Sequence, residues 1–487
     1  MRHMLERYFG FATRGTTLAR DTAAGATTFV VMSYIIFVNP TILSFSGIDA
    51  LQSRALPFDG VLASTCLVAG VMSIFMGLAT NYAYAIAPGM GLNVVVAFGL
   101  VASGKASYPE AMGLVVLEGV AMVLLAITGL RELIFKAIPL ELKKAIAIGI
   151  GLFIAFIGLY NSGIIANLRP SAGQPVGLGS FTTWPIFVTV FGLVFTFSLR
   201  AIGFKGDLIV GIIGTTVLAT LVNYWTGYTA FGPSGPAVWP HHIASWPNLH
   251  LIGQISLDSF SSSELGVIAS LVWVFSLFLS DFFDFSGTAI GVGKQAGYVD
   301  KDGNIPNFKR ALVVDGVAAM AGGVASSSSA TTFIESGSGV AAGGRTGWVA
   351  VVAGLLFLPF MFISPLIGMV PAEATAPALV VVGWLMISTL TEMEGEAEGG
   401  SRLAGIDFHD LAIGLSAALT IMVMPFTYSI TNGIGFGFVT YTLICAASRQ
   451  WKRIHPFMWI VSAAFVLYFL IPLLQQHYSF FGGHHVG

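Results

Sequence analysis

The sequence predicts an all-α polytopic membrane protein with about 14 transmembrane segments. Three observations carry that fold class. Of 487 residues, 55% are hydrophobic and only 9% are charged, against roughly 25% charged in a soluble protein. With a mean hydropathy of +0.83, this much apolar surface cannot be hidden from water. Apolar windows of about 20 residues, the length that spans a bilayer as a helix, recur along the whole chain. Finally, with the N-terminus placed inside, 19 of the 22 Lys and Arg residues fall on the inner side, as the positive-inside rule expects.

The apolar runs lie at about 22–44, 60–79, 83–101, 110–130, 145–165, 181–199, 207–226, 265–289, 311–325, 329–342, 348–370, 375–390, 408–426 and 429–447, with a further run at about 456–474. Inner segments hold Arg2, Arg7, Arg14 and Arg20; Arg131, Lys136, Lys143 and Lys144; Arg200 and Lys205; Lys294, Lys301, Lys309 and Arg310; Arg345; Arg402; and Arg449, Lys452 and Arg453. Arg54, Lys105 and Arg169 fall outside, and the long outer loop 227–263 has no Lys or Arg. The last run decides the side of the tail: outside if 456–474 crosses, inside if it lies along the surface.

That outer loop divides the chain into two sets of seven spans. Seven is odd, so the halves insert in opposite senses, as inverted repeats do. The third span of the first half reads YAYAIAPGMGLNVVVAFGLV, and that of the second half SSSSATTFIESGSGV. Both are interrupted by Gly and polar residues at corresponding places. Discontinuous spans 3 and 10 therefore point to a substrate site at the repeat interface, since irregular backbone at membrane depth is tolerated only against protein or water.

The acids inside apolar runs are the candidate functional residues, because an intramembrane carboxylate marks a pathway or a partner. Asp281 and Asp284, in SLFLSDFFDFSGTAIG, are three apart and share a helix face. Glu335 lies in span 10 with Thr332 and Ser336 beside it as further substrate contacts, and Gly337 and Gly339 let the backbone there leave helix geometry. Pro88, Gly89, Gly91 and Asn93 form the opposite side of the site; the Asn amide offers both donor and acceptor to a ring edge. Glu118, in VVLEGVAMV, shows no partner in sequence and reads equally as a structural hydrogen bond or a role in ion transfer. Carboxylates suit paired N–H groups of a flat heterocycle or a cation, not an anion, and Phe282, Phe283, Phe285 and Phe333 offer stacking faces. A carboxylate that takes up and releases a proton gives a route for proton coupling.

Other features point to nothing more. No basic stripe suggests nucleic acid. Cys66 and Cys445 sit in apolar runs and read as buried thiols. The pairs His241–His242 and His484–His485 lack acidic or thiol company, so no metal site and no cofactor is predicted. The acidic link 391–410 reads as a solvated loop, and Arg345 as an inner helix end. The N-terminal 21 residues mix basic and acidic groups and read as no cleavable signal. An embedded hydrolase would need a nucleophile–base pair or a metal set. No His lies within the spans except near an end (His409), so a transporter is expected rather than an enzyme.

The stretches TTFVVMSYIIFVNPTIL (27–43), APGMGLN (87–93), SDFFDFSGT (280–288), TTFIESGSGVAAGGRTG (331–347), VPAEATAPALVVVG (370–383) and MPFTYSITNGIGFGF (424–438) resemble, in order, the AzgA-like purine permeases of the nucleobase–cation/ascorbate symporter superfamily. The resemblance implies a 7+7 inverted repeat with core and gate domains. Residues 1–21 are then a cytoplasmic N-terminus, 22–130 the first core half (spans 1–4) and 131–226 the first gate half (spans 5–7). Residues 227–263 form an extracellular loop, 264–370 the second core half (spans 8–11), 371–474 the second gate half (spans 12–14 and the last run) and 475–487 the tail. It also implies proton-coupled import of adenine, guanine or hypoxanthine, a homodimer through the gate, and a plasma membrane or bacterial inner membrane. On the matching motifs, substrate contact falls on Asn93, Asp281 and Glu335, a carboxylate needed for transport on Asp284, and a pocket-shaping glycine on Gly91. A permease of the same fold for xanthine or uracil is the alternative. The sequence departs from the family in three places: Phe285 stands where a Thr is usual, Ser326–Ala330 replace Gly-Thr-Ser-Thr-Val, and the link before the DLAIGLSAAL span is longer. The first two are expected to border the pocket and to bear on the choice of purine.

Overall fold

The structure, a computed structural model, describes residues 2–129, 137–166, 176–232, 236–262, 265–298, 305–392 and 406–481. Outside them fall the loop cations Arg131, Lys136, Arg169, Lys301 and Arg402, most of the acidic link 391–410, and His484 and His485.

Among the described residues the apolar runs become fourteen segments and one further helix. Spans 1 and 2 are Leu18–Leu43, interrupted at Ser33–Tyr34, and Phe58–Thr80. Span 3 is a strand, β1 (Ile86–Pro88), followed by the helical stretch Met90–Ala102. Spans 4 to 7 are Tyr108–Thr128, Leu140–Asn161, Trp184–Ala201 and Asp207–Trp225, with a small strand pair, β2 (Ile165–Ala166) and β3 (Gly177–Leu178), between spans 5 and 6. Spans 8 and 9 are Gly266–Ala296 and Phe308–Val324, and span 10 is strand β4 (Ala330–Thr332) followed by helix Ser336–Ala341. Spans 11 to 14 are Trp348–Phe362, Ala372–Glu392, Leu411–Phe426 and Ile430–Ala447. Eight of these are single segments of at least 18 residues, long and apolar enough to cross a membrane.

Local chemistry sets the ends. Span 4 opens on a capping box, Ser107 with Glu110, with Pro109 in its first turn, and closes on Gly129 at φ 75°, a left-handed cap that suits glycine. Span 2 closes on Asn81 at φ 56°, and the Asn81 side-chain Oδ1 accepts from the Gly347 amide at 2.8 Å, fixing the start of span 11.

The packing divides in two. Spans 4 and 9 pack together, as do span 11 with spans 1 and 2, and span 8 with span 4. Separately, span 12 packs on spans 5, 6 and 7, and span 13 on spans 5 and 14. Adding seven to both members of a packed pair yields another packed pair: 4–9 becomes 11–2, 1–11 becomes 8–4, 6–7 becomes 13–14, and 6–12 becomes 13–5. With β1 and β4 antiparallel, this pattern makes the fold a 7+7 inverted repeat. Arg54 and Lys105 lie together at the outer end: the Arg54 guanidinium donates to the Val101 carbonyl, and the Lys105 ammonium stands 5.2 Å from the Trp273 ring.

Two segments go beyond the expectation. The outer loop folds back over the ends of spans 4, 9 and 11 through amide bonds from Ser245 to Phe362, Gly253 to Val324 and Ser256 to Pro109, at 2.8, 2.7 and 2.9 Å. The last apolar run is the helix Pro456–Phe481. It contacts span 14 through Thr442 and Ser462, Phe438 and Phe465, and Phe436 and Phe469. The numbers fall on one helix as they rise on the other, so this helix runs antiparallel to span 14 and ends toward the face where span 14 begins.

Candidate functional site

Spans 3 and 10 break where the sequence stops favouring helix: Pro88 and Gly89 in one, a run of four serines ahead of two threonines in the other. Extended backbone at membrane depth must find partners within the protein, and each strand supplies them to the other. Ile86 pairs with Thr332, Ala87 with Thr331 and Pro88 with Ala330. The Gly89 amide donates to the Ser329 carbonyl at 2.8 Å and the Phe333 amide to the Ala85 carbonyl at 2.9 Å. Side chains complete the crossing. Ser73 of span 2 bonds both backbone groups of Ile86. The Ala85 amide donates to Ser336 Oγ at 3.0 Å. Asp315 of span 9 accepts from Thr331 Oγ1 and from both the amide and hydroxyl of Thr332, at 2.9–3.1 Å.

A cavity of about 130 Å³ opens beside this crossing, lined by Ser280, Phe283, Asp284 and Thr288 of span 8, Ile334 and Glu335 of span 10, Lys143, Ala147 and Ile150 of span 5, and Val382, Leu385 and Met386 of span 12. One water needs roughly 10–15 Å³ on this measure, so there is room for several waters or one small flat ring. Lys143, Lys144 and Lys294 among the lining place it toward the inner face. Its walls are apolar except for a few groups, as in ligand sites generally. Glu335 heads the short helix of span 10 without capping it; instead its Oε1 accepts from the Tyr34 hydroxyl at 2.7 Å. The break in span 1 at Ser33–Tyr34 puts that phenol there. The Lys143 ammonium stands 5.6 Å from the Phe283 ring.

Behind the cavity wall lies a second polar group. Asp281 and Glu118 are each fully buried. Spans 4 and 8 pack together and bring the two carboxyl groups side by side, with Thr331 near Asp281 and Ser329 near Glu118. None of their four carboxyl oxygens has a protein donor. Asn93 is also fully buried, with both amide atoms unpartnered.

The structure thus separates the predicted site residues. Asp284 and Glu335 face the cavity. Asp281, one turn before Asp284, points instead to span 4. Thr332 and Ser336 bind the crossing itself. Gly91 lets span 3 approach span 5, for a Cβ there would meet Ile150 Cγ2 at 2.8 Å. The expectation that Phe285 borders the pocket is corrected. It follows Asp284 by one residue, about 100° around the helix, and is fully buried against Phe308, ring centroids 5.4 Å apart. The Ser326–Ala330 stretch is corrected likewise. Ser326 and Ser328 take left-handed φ values of 55° and 70° in the turn that feeds β4, and none of the stretch lines the cavity. Sequence reasoning missed Tyr34 and Asp315. Asp315 carried the signal used for Asp281, an acid inside an apolar run (ALVVDGVAAM), whereas Tyr34 carried none, since only the fold brings span 1 to Glu335.

The sequence profile named Xan_ur_permease, described as Permease family, matches residues 21–398. The chain is 36% identical over 467 residues to the guanine/hypoxanthine permease PbuG of Bacillus subtilis (strain 168), covering 96% of this chain and 99% of that one. It is also 36% identical over 467 residues to the adenine permease AdeP of Escherichia coli (strain K12), covering 95% of each. Among solved structures, the transmembrane domain of a cyanobacterium bicarbonate transporter, BicA, superposes with a TM-score of 0.60 at 15% identity, covering 84% of this chain and 97% of that one. At that identity the likeness concerns the fold alone.

Proposed function

The chain belongs to the Permease family, and from that premise we propose that it imports purine nucleobases (adenine, guanine or hypoxanthine) in symport with protons. It is a multi-pass membrane transporter, not an enzyme. One observation carries the substrate reading: Glu335 and Asp284 face a single small cavity at the crossing of the two broken spans. Two carboxylates accept from N–H groups along one edge of a flat ring, and the Phe283 ring in the same wall offers a stacking face. The relatives named as guanine/hypoxanthine and adenine permeases support purines in particular.

In this reading Glu335 and Asp284 hold the ring, Gly91, Thr332 and Ser336 shape and brace the pocket, Asp281 serves coupling, and Asn93, buried outside the cavity lining, reaches the ring only if the pocket rearranges during transport. Spans 1–4 and 8–11 act as a core that moves against a gate of spans 5–7 and 12–14. The cavity lies where the two sets meet, spans 8 and 10 on one side and spans 5 and 12 on the other, which supports alternating access. A homodimer through the gate belongs to the same reading; spans 6 and 7 bring Trp184, Phe187, Val194, Ile213 and Val217 to the surface, where lipid or a second copy covers them. The membrane is the plasma membrane or a bacterial inner membrane.

The test is uptake of labelled adenine, guanine, hypoxanthine, xanthine and uracil by cells expressing the chain, with and without a protonophore. Protonophore-sensitive purine uptake is expected. Uptake of none of the purines from protein present in the membrane would overturn the substrate, and purine accumulation that a protonophore leaves intact would overturn the coupling.

A further inference from the structure

We propose that Glu118 of span 4 and Asp281 of span 8 share one proton and form the coupling site, set behind the cavity wall rather than in it. The inference rests on the purine:proton symport reading above and adds a residue, Glu118, that the reading does not use. Both side chains are fully buried on spans that pack together, and their carboxyl groups adjoin. Two carboxylates in contact repel, whereas a carboxyl and a carboxylate form a short, strong bond through one proton. Among the described residues no donor reaches any of the four oxygens, which leaves each carboxyl group the other as its partner. The Ser329 hydroxyl, also fully buried and without a partner of its own, lies beside Glu118.

The groups that face the pair from neighbouring elements reinforce this. Asp315 of span 9 acts on both members and Asp284 lies one turn along span 8. Both are acids, and among the described residues no cation acts on the pair. Removing the shared proton would leave two adjacent buried charges uncompensated, which is strongly unfavourable. The surrounding connections give the proton a mechanical reach. Thr331 lies near Asp281 and donates to Asp315. It sits on β4, four residues before Glu335, while Asp284 follows Asp281 on span 8. Loss of the proton drives spans 4 and 8 apart and pulls on both elements that present the cavity acids. Proton occupancy and purine occupancy are thereby linked without the proton sitting on a purine-contacting group.

The test uses the full chain in proteoliposomes and separates two readouts, purine exchange at equal pH and purine accumulation driven by an inward proton gradient. Glu118→Gln keeps the volume and can donate to Asp281 but cannot release a proton. The expected result is exchange within about threefold of wild type with accumulation reduced at least tenfold, while Glu118→Asp, which keeps an acid, still accumulates. Accumulation by Glu118→Gln as in wild type would overturn the proposal. Loss of exchange in both variants would assign Glu118 to folding alone and overturn it too, as would wild-type accumulation driven by a sodium gradient with no proton gradient. Failure of the wild type to exchange any purine would instead sink the substrate reading, and is distinguished by that control.

Discussion

Asp284 and Asp281 are one helical turn apart on span 8, yet they occupy two different chemical worlds. Asp284 looks into a cavity toward the inner face, in the same lining as Glu335, whose Oε1 accepts from the Tyr34 hydroxyl behind it. Asp281 is sealed against Glu118, with no solvent and no protein donor. A carboxylate that meets water can exchange water for the N–H groups of a ligand at little cost. One that meets only another carboxyl group can exchange only a proton. The difference teaches that the spacing of acids along a helix does not assign their roles; the neighbouring spans do.

The largest expected break in this comparison is Glu335→Ala. It removes the acceptor proposed to hold the ring, where a bond to a charged group contributes about 1.5–3 kcal/mol. Purine uptake should fall by about 100-fold, read as initial rates in cells with equal amounts of protein in the membrane. Tyr34→Phe comes next. It removes one donor to Glu335 and leaves the cavity volume unchanged, so a rise in the half-saturating purine concentration of about three- to tenfold is expected, with little change in maximal rate. Phe285→Thr sharpens the comparison from the other side. Because Phe285 packs on Phe308 away from the cavity, the ranking among adenine, guanine and hypoxanthine should stay the same. The purified protein should lose about 2–4 kcal/mol of stability from the core void, seen as a lower unfolding midpoint. A changed purine ranking would show that this face of span 8 reaches the substrate after all.

The smallest effect is expected far from both acid sites. Asp410 caps the helix of span 13, accepting from the amides of Ala412 and Ile413, and pairs with Arg453 at 2.7 Å. The Arg453 bond holds the Asp410 carboxyl below its ordinary range. Stability from this pair is therefore present above the ordinary carboxylate range and lost as pH falls through the lower folded value. The pair is about one-third solvent-exposed and screened by water, so Asp410→Asn, which still caps, should change stability by less than about 0.5 kcal/mol at neutral pH, with no change in uptake.

Much of the fold was legible because its signals are local. Apolar length, the alternation of loop cations and the Pro-Gly and Ser-rich breaks in spans 3 and 10 each follow from what lipid does to backbone and charge, and the pairing of β1 with β4 answers the breaks directly. The cavity acids Glu335 and Asp284 were legible for the same reason. What was not legible depends on rotation and on partners. Whether Phe285 or Asp284 faces the cavity is decided by one step of the helix. The partner of Glu118 lies 163 positions away, in a span whose neighbour is set by the inverted repeat. Tyr34 reaches Glu335 only because span 1 breaks at that point.

The most direct test of the division between the two acid sites is equilibrium binding of labelled adenine and hypoxanthine to the purified protein, comparing wild type, Glu335→Ala and Glu118→Gln at one pH. The account predicts that Glu118→Gln binds within about threefold of wild type and that Glu335→Ala binds about 100-fold more weakly. Native affinity in Glu335→Ala, or loss of affinity in a folded Glu118→Gln equal to that in Glu335→Ala, would contradict it.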